Sequence, residues 1–177
     1  MKIIDLSVPL YTGMEVFPGD PDVNIEVVHT YEESTWQLRR LVMGSHAGTH
    51  VDAYSHMHEF KENLDEIPIE RFFGKAKVVG LDENWPKEIG LFFIEKVGVE
   101  KTDKIINSSP NFAGGNITED LERILLSNKI PTYTGLVNLE LIPKGKEFMF
   151  FGLPLKIKEG DGSPVRAIAI IEESSDS

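Results

Sequence analysis

The sequence predicts a β-rich mixed α/β fold, a mixed sheet or barrel-like core with few helices, built as a single domain. Three observations lead there. The 177 residues suffice for one domain with a sizeable core and are too few for two ordinary ones. Most periodic segments are short, rich in β-branched residues and bounded by turn residues, which is the pattern of strands. Clear helix signals are scarce, too scarce for the regular strand–helix alternation of a doubly wound sheet.

Residues 3–8 form the first strand-like run and stop at Pro9. Runs of the same style follow at 24–28, 38–43, 75–81 and 104–107. Runs at 147–151 and 165–171 close the domain, separated by the turn-like Glu159-Gly160-Asp161-Gly162-Ser163-Pro164. One helix is signalled by Asn116 as a cap with Glu119 three residues on, after which Leu121, Ile124 and Leu125 recur at helical spacing. A second, short helix is expected within 64–73, and Gly114-Gly115 reads as a turn. The domain is assigned to residues 1–171, followed by an acidic, serine-rich tail at 172–177 that is expected to fray.

Eighteen basic against twenty-nine acidic residues give a net charge of −11. That field repels phosphate backbones and anionic headgroups, so nucleic acid and membrane surfaces are excluded as expected partners. With no cysteine, thiolate metal sites, disulfides and cysteine nucleophiles are excluded too. The opening MKIIDLSVPL does not read as a signal peptide and no run reaches membrane-span length, so a cytoplasmic location is expected. No serine stands in a G-x-S-x-G context, and no lysine–serine pair follows the glycines to make a phosphate loop.

The chemistry concentrates in one place. His46, His50, His56 and His58, four of the five histidines, lie between positions 46 and 58 with Asp52 among them. These four histidines and Asp52 fall on even positions, while the odd positions hold Ala47, Thr49, Val51, Ala53, Ser55 and Met57. Period two is strand spacing, so an extended chain would put the imidazoles and the carboxylate on one face. A straight strand cannot gather them, because at roughly 3.3 Å per residue His46 and His56 would stand about 33 Å apart. The chain must therefore bend, and Gly48 is the natural place. His50 and Asp52 then form the centre of a site whose donor set suits Zn²⁺, Mn²⁺ or Fe²⁺. An ion held there with an open position would lower the pKa of a water and polarise a carbonyl.

The segment His46-x-Gly48-Thr49-His50-x-Asp52-x-x-x-His56 resembles the HxGTHxDxxxH signature of the cyclase-like metal-dependent hydrolases, of the bacterial kynurenine formamidase and isatin hydrolase type. Asp5-Leu6-Ser7-x-Pro9-Leu10, Phe17-Pro18-Gly19-Asp20, Gly152-Leu153-Pro154-Leu155 and Asp161-Gly162-Ser163-Pro164-Val165-Arg166-Ala167 resemble further segments of that family, so the likeness covers most of the chain. The resemblance implies hydrolysis of a C–N bond in a small amide, formamide or lactam. It implies His46, His50 and Asp52 as metal ligands, His56 as general acid/base, and Phe17 as a substrate-pocket wall. It also implies a homo-oligomer, a homodimer or homotetramer, acting on a small-molecule substrate.

Two departures bear on the number of ions. The family's distal E-G-L element is Thr134-Gly135-Leu136 here, which removes a carboxylate, and the family's distal histidine aligns near Glu122, which can supply one. One divalent ion, Zn or Mn, is therefore expected rather than two, with Glu122 as an additional candidate ligand. The same departures leave open a non-catalytic or altered-specificity paralogue. His58 is expected in a supporting or surface role.

Overall fold

The computed structural model describes residues 1–172, so the acidic tail beyond Glu172 lies outside the described residues. Strand propensity is realised in eleven strands among them: β1 (Lys2–Asp5), β2 (Asn24–His29), β3 (Leu38–Val42), β4 (His50–Asp52), β5 (Phe73–Val78), β6 (Gly90–Val97), β7 (Ala113–Ile117), β8 (Thr132–Thr134), β9 (Glu147–Phe151), β10 (Gly162–Pro164) and β11 (Ile168–Ile171). The three α-helices are α1 (Tyr31–Ser34), α2 (Thr102–Ser108) and α3 (Glu119–Ser127). Nine strands form one mixed, curled sheet in the order β1-β11-β9-β5-β6-β7-β8-β4-β10, a half-barrel, as the predicted fold class requires. β2 and β3 form a separate two-stranded ribbon.

The sheet is parallel from β5 through β8 and antiparallel elsewhere. Its parallel part needs crossovers, and α2 and α3 supply two of them. Both faces of the first half of β6, Gly90 to Phe93, are consequently buried. Phe92 points into the concave core with Phe112, Tyr133, Phe148 and Phe150, while Leu91 and Phe93 join Ile105, Leu121 and Leu125 under the helices. Within the concave core the rings of Tyr133 and Phe150 meet edge to face, 4.8 Å between centroids. Among the described residues no helix is long and apolar enough to cross a membrane.

Several local expectations are corrected. Residues 104–107 lie in α2, not a strand: Ile105 alone turns fully inward, and Lys104 Nζ is tied to the carbonyls of Leu81 and Glu83 at 2.9 and 2.7 Å. Asn116 is in β7, and α3 is capped instead by Thr118, whose hydroxyl accepts from Leu121 N at 3.4 Å. Gly114 and Gly115 belong to β7 and pair with Phe92 and Phe93. The expected helix at 64–73 shrinks to a 3₁₀ turn over Ile69–Phe72, because Pro68 interrupts the segment. Within the turn-like stretch 159–164, Gly162–Pro164 pairs with β4, and the following strand is confined to Ile168–Ile171.

Candidate active site

Period-two alternation operates in β4: Val51 is buried in the concave core, and His50 and Asp52 share the other face. β4 lies between β8 and β10, with Asp52 opposite Thr132 on one side and Gly162 on the other. His46 reaches the same point because the chain turns ahead of β4. Gly48 sits there at φ +65°, a conformation that favours glycine, and a Cβ on it would stand 2.7 Å from Leu10 Cδ2 and push that side chain aside. After β4, a 3₁₀ turn over Tyr54–His56 swings His56 back. The rings of His46 and His56 end 3.9 Å apart between centroids.

Asp52, 2% exposed, is the hub. Its Oδ1 accepts from His46 Nδ1 at 2.7 Å and lies 3.6 Å from His50 Nε2. The other nitrogen of His46 donates to Asp161 Oδ2 at 2.9 Å, and His56 Nδ1 stands 3.6 Å from that same oxygen. Ser45 Oγ donates to Asp161 Oδ1 at 2.8 Å. On the far side of Asp52, the Thr132 hydroxyl lies 3.2 Å from Oδ2 and 2.7 Å from Glu122 Oε1.

These contacts set the charges. Burial alone would lower the pKa of His46, but its hydrogen bonds to Asp161 and Asp52 outweigh that and raise it to about 10. His46 is thus an imidazolium between two carboxylates. Burial lowers the pKa of His50 and keeps the ring neutral. Its Nδ1 donates to the Gly48 carbonyl at 2.8 Å, which leaves a lone pair on Nε2. Burial would raise Asp52, yet the His46 hydrogen bond and the nearby imidazoles hold it below the usual carboxylate range. Glu122 is pushed up to about 8 by burial and then by the Asp52 charge, so at neutral pH it keeps its proton and shares it toward Asp52. The hydrogen bond from His46, with the His56 ring beside the same oxygen, holds Asp161 well below the ordinary range.

A divalent cation suits this donor set. His50 Nε2 and Asp52 Oδ1 are both acceptors, 3.6 Å apart, with no proton to share between them. Metal bonds of 2.0–2.2 Å place neighbouring tetrahedral ligand atoms about 3.3–3.6 Å apart. Ligand atoms of His46, Asp52 and His56 also lie within 4.8 Å of one another. The donors are nitrogen and oxygen only, a set compatible with Zn²⁺ or Mn²⁺.

Of the residues singled out from sequence, His46, His50, Asp52 and His56 converge, and Glu122 joins them from α3 beside Asp52. Thr134, opposite His50 on β8, is exposed. His58 Nε2 donates to the Arg123 carbonyl at 2.6 Å, tying the loop after His56 to the helix that carries Glu122. Phe17 is 69% exposed in the loop between β1 and β2, where its carbonyl accepts from Asp20 N. Asp161 and Thr132 carried no role in the sequence reading. Thr132 lies on β8 and Asp161 directly precedes β10, the two strands beside β4, so only sheet register could have found them.

The family model described as "Putative cyclase" matches residues 4–108. The kynurenine formamidase of Salinibacter ruber is 31% identical, with 95% of this chain and 97% of that protein covered. The kynurenine formamidase of Bacillus anthracis is 25% identical over 94% of this chain and 96% of its own length. Among solved structures, isatin hydrolase A from Labrenzia aggregata shares the fold with a TM-score of 0.83 at 20% identity, covering 97% of this chain and 94% of that one.

Proposed function

The chain belongs to the cyclase family, and from that premise we propose that it is a metal-dependent hydrolase of a C–N bond in a small amide, formamide or lactam. The observation that carries the proposal is the lone pair of neutral His50 facing ionised Asp52 across 3.6 Å, with the Glu122 carboxyl alongside. In this reading His46, His50 and Asp52 hold one Zn²⁺ or Mn²⁺, and Glu122 is an additional ligand. When bound, the ion supplies a lowered pKa for water and polarisation of the scissile carbonyl.

The remaining work falls to side chains. His56, exposed at the rim with its ring tilted against that of His46, takes a proton from the attacking water and returns one to the leaving amine as the C–N bond breaks. Phe17 contributes a wall for the substrate. The full-length likeness to named formamidases and the carboxyl of Glu122 beside Asp52 favour a hydrolase over a non-catalytic paralogue.

The test is turnover of aryl formamides, simple amides and aryl lactams by protein reconstituted with Zn²⁺ or Mn²⁺. Turnover that requires the metal and falls at least about 10²-fold in His56→Ala, leaving a residual rate, supports the reading. A panel with no metal-dependent turnover, from protein that has taken up the ion, refutes it.

A further inference from the structure

We propose that Asp161 is the positioning carboxylate of this site, holding His56 with its proton on Nδ1 so that Nε2 presents a lone pair to water and substrate. The geometry of the segment around Asp161 points there. Its backbone carbonyl accepts from Ala53 N at 2.8 Å, and the next residue, Gly162, pairs with Asp52 in the β10–β4 ladder. Asp161 is therefore registered against the residues it serves rather than carried on a free loop. A Cβ on Gly162 would lie 2.4 Å from His46 Cε1, so the absence of a side chain there lets β10 approach the imidazoles.

The side chain is fixed as well. Ser45 occupies Oδ1 at 2.8 Å and thereby turns Oδ2 toward the rings of His46 and His56. Among the described residues, the carboxylate facing His56 Nδ1 is Asp161. The 3.6 Å separation is longer than a hydrogen bond because His46 Nε2 holds the same oxygen at 2.9 Å. His46 has both nitrogens engaged by carboxylates and cannot also serve as a ligand without releasing one. Asp52 is buried at the hub, whereas Asp161 has a half-exposed side chain just ahead of β10, at the edge of the sheet. Asp161 is thus the partner to be released, and its oxygen then belongs to His56. A neutral imidazole donates from one nitrogen and accepts at the other, so a carboxylate at Nδ1 determines what Nε2 can do.

The catalytic half of this inference rests on the hydrolase reading above, and the tautomer half does not. In Zn²⁺-loaded protein with ¹⁵N-labelled histidine, under conditions where the ring is neutral, His56 is expected as the Nδ1–H tautomer. Asp161→Asn is expected to shift it toward Nε2–H or a mixture. In metal-loaded protein turning over an aryl formamide, Asp161→Asn should lower kcat about 10–100-fold, the usual effect of removing an orienting partner. KM and metal per chain should stay unchanged, and the same substitution should cost nothing further in a His56→Ala background.

An unchanged His56 tautomer in Asp161→Asn overturns the proposal. So does an equal loss of kcat in the His56→Ala background, which would mean a merely structural role, and so does loss of the metal, which would make Asp161 a ligand. If the wild-type protein turns over nothing, the hydrolase reading fails and the tautomer experiment alone decides Asp161.

Discussion

Replacing Glu122 by Gln should stabilise the metal-free protein while weakening its hold on a metal. The carboxyl is buried beside Asp52, with a pKa raised from 4.5 to about 8. A group whose pKa is higher in the folded state binds more protons when folded, so stability is lost as pH rises from 4.5 through about 8. Relative to a permanently neutral isostere at pH 7, the unfolded chain gains the full ionisation of an ordinary glutamate and the folded chain gains almost none. With 1.36 kcal/mol per pKa unit, the difference is on the order of 3 kcal/mol at pH 7 and about 1 kcal/mol at pH 5. For a chain of this size each kcal/mol moves Tm by about 2–4 °C, so Glu122→Gln should melt about 6–12 °C higher at pH 7 and only about 2–4 °C higher at pH 5. The amide keeps an oxygen for the Thr132 hydroxyl, so that contact survives the change. Thermal melts of chelator-treated protein at both pH values measure it. A Gln variant no more stable than wild type at pH 7, or a gap that does not widen with pH, would refute the assignment of a protonated Glu122. Added Zn²⁺ should then raise the wild-type Tm more than that of the variant.

His50→Ala and Asp52→Asn should each abolish stoichiometric metal uptake, measured by elemental mass spectrometry; full uptake by either would remove His50 and Asp52 from the ligand set. Gly48→Ala must accommodate a residue at φ +65° and a Cβ 2.7 Å from Leu10 Cδ2, so it should cost about 1–3 kcal/mol in denaturant melts. The β2–β3 ribbon exposes Val27, Val28, Leu38, Leu41 and Val42, and a two-stranded ribbon is marginal alone, so light scattering should show a homodimer that Leu41→Asp dissociates.

The readable half of the site was the half encoded in one short segment. Even-numbered ligands in β4 and a glycine at the bend are local patterns, and period two together with φ > 0 at Gly48 carries them directly into geometry. The unreadable half arrives by register. Asp161 reaches the site only because Gly162 pairs with Asp52, and Thr132 joins from the opposite side because β8 pairs along the other edge of β4. The fold shows the same division. Strands with one solvent face, such as β9 with its alternating burial, announce themselves, while β6 is covered over its first half on both faces and reads as an undifferentiated apolar run. Lys104-Ile105-Ile106-Asn107 resembled a strand by its paired isoleucines, a preference that packing against α3 overrides.

The charges around Asp52 make one further quantity measurable. Without an ion, Asp52 and Asp161 are anionic, His46 is cationic and Glu122 keeps its proton, so these four groups sum to −1 at neutral pH. A ligand must present a lone pair, so His46 and Glu122 must each give up a proton to coordinate. With the two protons gone and a divalent ion added, the sum is again −1. The site thus exchanges two protons for one divalent cation at no change in net charge, and a buried cluster tolerates such an exchange far better than a change in total charge. Calorimetric titration with Zn²⁺ in buffers of different ionisation enthalpy should therefore show about two protons released per ion at pH 7, where His46 with a pKa of about 10 and Glu122 with a pKa of about 8 both hold theirs. At pH 9 Glu122 is already ionised, and the release should fall to about one. Glu122→Gln should release about one at both pH values. A wild-type release that stays near one at pH 7, or does not fall between pH 7 and 9, would show that Glu122 is not the group that trades its proton for the ion.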